Sequence, residues 1–99
     1  MQGIWYRKVI EFILLCYRKE AAGERIYLQN MVRWTDIAYG HAMKICNYLI
    51  GMGLVTAKKE GRVKEIKLTN LGKEVAKRLY EIEQLLRKSQ DSASRSQKG

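Results

Sequence analysis

Five cations fall within one ten-residue stretch, Lys58, Lys59, Arg62, Lys64 and Lys67. Ammonium and guanidinium groups neutralise anions and donate hydrogen bonds; without a partner acid, base or nucleophile they make and break no bonds. A second group, Ala38, Tyr39, Gly40, His41 and Lys44, sets three polar side chains beside a methyl group and a bare backbone position. That mixture suits recognition of a polar surface rather than turnover. His41 is the single histidine and has no evident nucleophile near it in the sequence, and neither paired carboxylates nor a glycine-rich phosphate loop appear. Cys16 and Cys46 stand 30 residues apart without a CxxC spacing, so ligands for a metal site are lacking. Binding chemistry is expected, with no enzyme activity, cofactor or metal. The two thiols read as small buried side chains, with a disulfide as the sharper alternative.

The balance of charge sharpens the expectation. The 99-residue chain carries 19 Lys+Arg against 10 Asp+Glu, a net charge of +9, with 46% hydrophobic residues. Such an excess on one small domain points to a polyanionic partner. The longest apolar run, Phe12 to Tyr17, is too short to cross a bilayer, and Arg7 and Lys8 follow rather than precede a hydrophobic start, unlike a signal peptide. A cytoplasmic location and no membrane-spanning segment are expected, although charge alone does not separate a nucleic acid from an anionic membrane surface.

The elements that must position these residues follow from periodicity. Tyr6, Val9, Ile10, Ile13, Leu14 and Tyr17 recur at helical steps from Ile4 to Glu20, and Gly23 suits a left-handed cap. Arg25 to Leu28 reads as a short strand or an approach segment, and a second helix spans about Leu28 to Arg33. Thr35 and Asp36, both good N-caps, then introduce a third helix over about 37–52, with Ile37, Ala42, Ile45, Cys46 and Leu49 on its core face. Gly51 and Gly53 end it. Alternation around Glu60-Gly61 gives a basic hairpin in which Lys64, Ile66 and Leu68 share one face and Val63, Glu65 and Lys67 the other. Thr69 or Asn70 caps a last helix over about 69–88. In it Val75, Leu79, Ile82 and Leu86 follow a heptad rhythm, widened by Leu85 and Tyr80. About 19 helical residues project roughly 28 Å, beyond what a small core can cover. A second copy is the expected partner of the far half, with folding back onto the first helix as the alternative. The polar segment 89–99 lacks the apolar residues to order itself and reads as a disordered tail. Trp5 and Trp34 are expected to pack.

Helix, short helix, turn, helix, hairpin and long helix is the order of a winged helix-turn-helix. The expected fold class is mainly α with a small β-hairpin wing and an extended C-terminal helix, as one domain over 1–88. The segment Leu49-Ile50-Gly51-Met52-Gly53-Leu54-Val55 resembles the string that closes the recognition helix in archaeal and bacterial winged-helix regulators. Leu68-Thr69-Asn70-Leu71-Gly72 is similar to the string that opens the helix after the wing in the MarR and PadR families. Together they cover residues 26 to 80. The proportions also resemble small archaeal winged-helix proteins that dimerise through a C-terminal coiled-coil helix, including a nucleoid-associated type. The chain departs from the larger MarR pattern in lacking a long N-terminal dimerisation helix pair and an obvious ligand pocket, which argues against a small-molecule effector.

The resemblance implies double-stranded DNA as the partner, with the 37–52 helix in the major groove and a wing over about 56–67 on the backbone or minor groove. Tyr39, His41 and Lys44 then meet bases or phosphates, Ala38 a thymine methyl, and Gly40 lets the helix approach the groove closely. Arg33 meets a phosphate, Arg62 at the wing tip is the best candidate for the minor groove, and Lys58, Lys59 and Lys64 lie along the wing. Arg7, Lys8 and Arg25 are further phosphate candidates. The expected function is a homodimeric, sequence-specific transcriptional regulator. Two alternatives stand beside it: an architectural DNA-coating protein, and a winged helix that binds another protein.

Overall fold

The computed structural model describes the backbone of residues 2–98 and the side chains of residues 5–89. The chain folds in the order α1 (Gln2–Ala21), β1 (Ile26–Tyr27), α2 (Leu28–Trp34), α3 (Tyr39–Gly51), β2 (Val55–Glu60), β3 (Val63–Leu68) and α4 (Asn70–Lys98). The three strands make an antiparallel sheet in the order β1-β3-β2. This is the winged helix-turn-helix architecture expected from the sequence, four helices with a hairpin wing.

One core joins all these elements. Phe12, Ile13 and Cys16 of α1 meet Leu28 and Met31 of α2, Ala42, Ile45, Cys46 and Leu49 of α3, and Val55, Ile66 and Leu68 of the sheet. These are apolar groups taken out of water, so truncating one of the larger ones to alanine costs about 2–5 kcal/mol. Both tryptophans pack against this core as expected. Trp5 meets Tyr48 edge-on at 5.7 Å, and Lys19 Nζ lies 4.2 Å from the centre of the Trp34 ring.

The two diagnostic strings meet in space. Gly53 adopts φ +76°, its amide bonds the Ile50 carbonyl at 3.0 Å, and the Leu54 amide bonds the Leu49 carbonyl at 2.9 Å. That hydrogen-bond pair is the Schellman stop, which needs a residue free of Cβ strain in the left-handed region. The Leu54 carbonyl then accepts the Thr69 amide at 3.0 Å, while the Thr69 hydroxyl donates to the Gly53 carbonyl at 2.7 Å and accepts the Gly72 amide at 2.9 Å. Thr69 is therefore the N-cap of α4, worth about 1 kcal/mol. Gly72 sits so close to the Leu54 carbonyl that an added Cβ would fall inside its van der Waals radius. The end of α3 and the start of α4 thus form one joint.

Two local expectations are corrected and one open alternative is resolved. Helix α3 begins at Tyr39 rather than about 37, and its N-cap is Ala38, with no side-chain cap hydrogen bond. Thr35 instead closes α2, its hydroxyl donating to the Met31 carbonyl at 2.5 Å, while Ile37 is buried in the turn between the helices. The ambiguous segment before α2 is a strand, pairing Ile26 with Ile66 and Tyr27 with Glu65. Finally, Glu60 pairs with Val63, so the wing turn is Gly61-Arg62 rather than Glu60-Gly61. Gly61 has φ +61° and Arg62 no positive φ, the signature of a type II′ hairpin turn.

Helix α4 runs on to Lys98, past the expected boundary near 88. The tail expected over 89–99 lies, beyond Ser89, outside the residues whose side chains are described. Val75 and Leu79 are partly buried against the core, and Tyr17 of α1 tilts against Tyr80 at 5.9 Å. Arg18 of α1 pairs with Glu83 at 3.1 Å. The near half of α4 therefore folds back on α1, whereas Ile82, Leu85 and Leu86 are 52%, 66% and 63% exposed.

Candidate nucleic-acid interface

Helix α3 buries Ala42, Ile45, Cys46 and Leu49. At 3.6 residues per turn the line farthest from that stripe is Gly40, Lys44, Asn47 and Gly51, at steps of four, three and four. Tyr39, Met43 and Ile50 form one exposed flank of this line, and His41 lies on the other. Of the expected base-facing residues, Gly40 and Lys44 occupy the outermost line, Tyr39 and His41 flank it, and Ala38 is exposed at the helix start. Asn47 and Met43 were not among them. The signal was present, since Asn47 follows Lys44 by three residues and Gly40 by seven, but the expected surface stopped at Lys44.

Gly40 and Gly51 are helical residues without positive φ, and a Cβ added at either meets nothing within 4 Å. No contact among the described residues requires glycine at these two places. The first turn of α3 also lacks a capping side chain, which leaves its leading amides available to an external acceptor.

The wing is aimed from α2. Gln29 Nε2 donates to the Arg62 carbonyl at 2.9 Å, so a side chain of the helix-turn-helix holds the tip of the hairpin. Gln29 Oε1 is buried with no hydrogen-bond partner among the described residues. Sequence reading missed this residue, because a lone glutamine on a short helix carries no pattern. Arg62 is exposed as the second residue of the turn.

The register divides the wing's other cations. Lys59 lies opposite Lys64, on the same face as the pairs Ala57–Ile66 and Val55–Leu68 that close over the core. Lys58 lies opposite Glu65, and Thr56 opposite Lys67, on the outer face. Lys64 is half-buried on its face. This inner face continues the side on which Val55, Ile66 and Leu68 share the core with Cys46 of α3, whose thiol is pushed up by burial, an effect that the charge of Lys64 opposes. The outer face carries Glu65, a carboxylate only 7% exposed, in a cleft lined also by Glu20, Arg25, Glu60 and Lys67. Arg25 belongs to this outer side, where the Tyr27 hydroxyl, Glu65 and Glu60 favour its charged form. Of the remaining flanking cations, Arg33 is exposed at the end of α2 and Arg7 pairs with Glu11 at 3.6 Å.

Among the described residues no cluster of His, Cys, Asp or Glu could hold a metal ion, and no helix is long and apolar enough to cross a membrane. Both cysteines are free and buried.

No protein-family model and no curated protein matches the sequence. Solved structures do match the fold. AF1382 from Archaeoglobus fulgidus superposes with a TM-score of 0.79 at 22% identity, over 81% of this chain and 88% of that one. The adhesin competence repressor AdcR of Streptococcus pyogenes gives 0.72 at 14% identity, over 89% of this chain and 64% of its own. An apo mutant of ZitR from Lactococcus lactis gives 0.73 at 15% identity, over 95% and 70%. At these identities the likeness is one of fold, and this chain spans less than two thirds of AdcR.

Proposed function

We propose that this chain is a double-stranded DNA-binding transcriptional regulator that reads sequence as a homodimer, in the manner of the MarR- and PadR-like winged-helix proteins and their small archaeal dimeric relatives. The observation that carries the reading is the outer line of α3. Gly40 and Gly51 leave both ends of that line without a side chain, and no contact among the described residues calls for glycine at either, so a surface outside the chain can approach the backbone closely there. Between them Lys44 and Asn47 present the donor and amide groups that pair with guanine and adenine edges. The uncapped first turn of α3 offers amides to a phosphate, and the wing carries Arg62 toward the adjacent backbone or minor groove. The name of AdcR describes that protein as a repressor, in keeping with this reading.

The second copy docks on the far half of α4, where Ile82, Leu85 and Leu86 are apolar and uncovered. Two α3 helices then read a pseudo-palindrome with half-sites one helical turn apart or a multiple of it. A second reading, an architectural protein with little sequence preference, is favoured by the sparseness of the α3 line, which offers only two base-reading side chains between two glycines. A salt titration on a random duplex pool, with sequencing of the bound fraction, separates them. A steep salt slope with a recovered inverted repeat supports the regulator, and a steep slope without a motif supports the architectural protein. Absence of binding at moderate salt refutes both and favours a protein partner.

A further inference from the structure

We infer that the wing meets DNA with one face only: Lys59, Lys64 and Arg62 contact phosphates, whereas Lys58 and Lys67 serve the carboxylates of the opposite face. This rests on the DNA-binding reading and separates Lys58 from Lys59 and Lys64, which the sequence reading placed together on DNA. The inner face of the hairpin consists of Val55, Ala57, Lys59, Lys64, Ile66 and Leu68, with no acid among them. Its two lysines lie directly opposite each other, whereas on the other face Lys58 lies opposite Glu65. Like charges at facing positions destabilise a sheet, so this pair is unfavourable until an anion comes between them. The face continues the side of the hairpin whose Val55, Ile66 and Leu68 share one core with Ala42, Ile45 and Leu49 of α3, so beyond the edge of that core its lysines extend on the α3 side of the wing.

The outer face has the opposite design. Within the hairpin its two lysines, Lys58 and Lys67, are balanced by Glu60 and Glu65, and the lining of its cleft adds Glu20 and Arg25. Glu65 is 93% withdrawn from solvent, so water screens its charge poorly and a phosphate approaching this side is repelled. Gln29 then fixes which way the two faces turn, by holding the Arg62 carbonyl against α2.

The test uses the full chain and a random-sequence duplex, with affinity measured from 50 to 200 mM salt. Each phosphate engaged contributes about 0.9 to the logarithmic salt slope, or about 3.5-fold in affinity across that range. Lys59→Gln and Lys64→Gln are each expected to lower the slope by about that amount, and Lys67→Gln to leave it unchanged. Melting temperatures without DNA at low salt give an independent reading. Lys59→Gln removes a like-charge pair and raises the melting temperature, whereas Lys58→Gln removes the partner facing Glu65 and lowers it. Equal loss of slope in Lys59→Gln and Lys67→Gln, with wild type binding steeply, overturns the inference and spares the DNA reading. A wild-type chain whose weak binding ignores salt overturns both.

Discussion

Replacing Gly40 and Gly51 by alanine should make the protein more stable and a worse binder. Both residues are helical, neither has positive φ, and the new methyl group meets nothing within 4 Å. Each substitution therefore gains about 0.5–1 kcal/mol from reduced freedom of the unfolded chain and better helix propensity. The sites are about 16 Å apart along the helix at 1.5 Å per residue, so the gains add to about 1–2 kcal/mol. For a domain of this size that raises the melting temperature by roughly 5–15 °C. In the complex, the same methyl groups stand on the line of closest approach and push Lys44 and Asn47 back from their partners. Losing one hydrogen bond to a charged or base group costs about 1.5–3 kcal/mol, a weakening of roughly 10- to 100-fold. Scanning calorimetry and fluorescence anisotropy on one preparation measure both effects. Higher stability with unchanged affinity would refute the view that α3 presents this line to a surface. A fall in melting temperature would show that the glycines serve the fold.

Gly72→Ala should act in the opposite direction, since its Cβ meets the Leu54 backbone; a loss of about 1–3 kcal/mol, or roughly 5–20 °C, is expected by thermal melting. Ile82→Glu combined with Leu86→Glu should halve the mass seen by light scattering, while Leu79→Ala, on the side packed against the core, lowers the melting temperature and leaves the mass unchanged. Alkali should destabilise the fold through Cys16, whose thiol is pushed far up by burial, with Glu20 and Cys46 adding to the effect. The folded state keeps this proton after the unfolded thiol, with its ordinary pKa of 9.0, has lost it. Stability is therefore full below about pH 9 and falls above it by up to about 1.4 kcal/mol per pH unit. Urea melts from pH 7 to 10 should show that slope in wild type and a shallower one in Cys16→Ala.

The parts of this fold legible in the sequence are those decided by near neighbours. The stop at Gly53 and the start at Thr69 are local hydrogen-bond motifs, so residue types at fixed offsets announce them. The alternation of the second wing strand likewise survives intact, with Ile66 and Leu68 inward. What failed were choices between equally good local options. Thr35 has the right chemistry to cap α3, but its hydroxyl is taken by Met31, and the helix starts four residues later at Tyr39. The heptad rhythm of α4 marks one stripe correctly yet is silent about partners, and α1 takes Val75 and Leu79 from it. Sorting Lys58 from Lys59 needs the register, which turns on whether Glu60 belongs to the turn or to the strand.

The Leu54 joint has a consequence for any assembly built on α4. Because the Thr69 amide and the backbone of Gly72 both bear on one carbonyl at the end of α3, the two helices form a rigid elbow with no slack residue between them. A pair of chains joined through α4 would hold its two α3 helices like the jaws of a fixed gauge, at a span set within each chain before any duplex arrives. Such a gauge discriminates by spacing as well as by base. Inserting one base pair at the centre of a site rotates one half-site by about a tenth of a turn and lengthens the gap by about 3.4 Å, and a rigid elbow cannot follow.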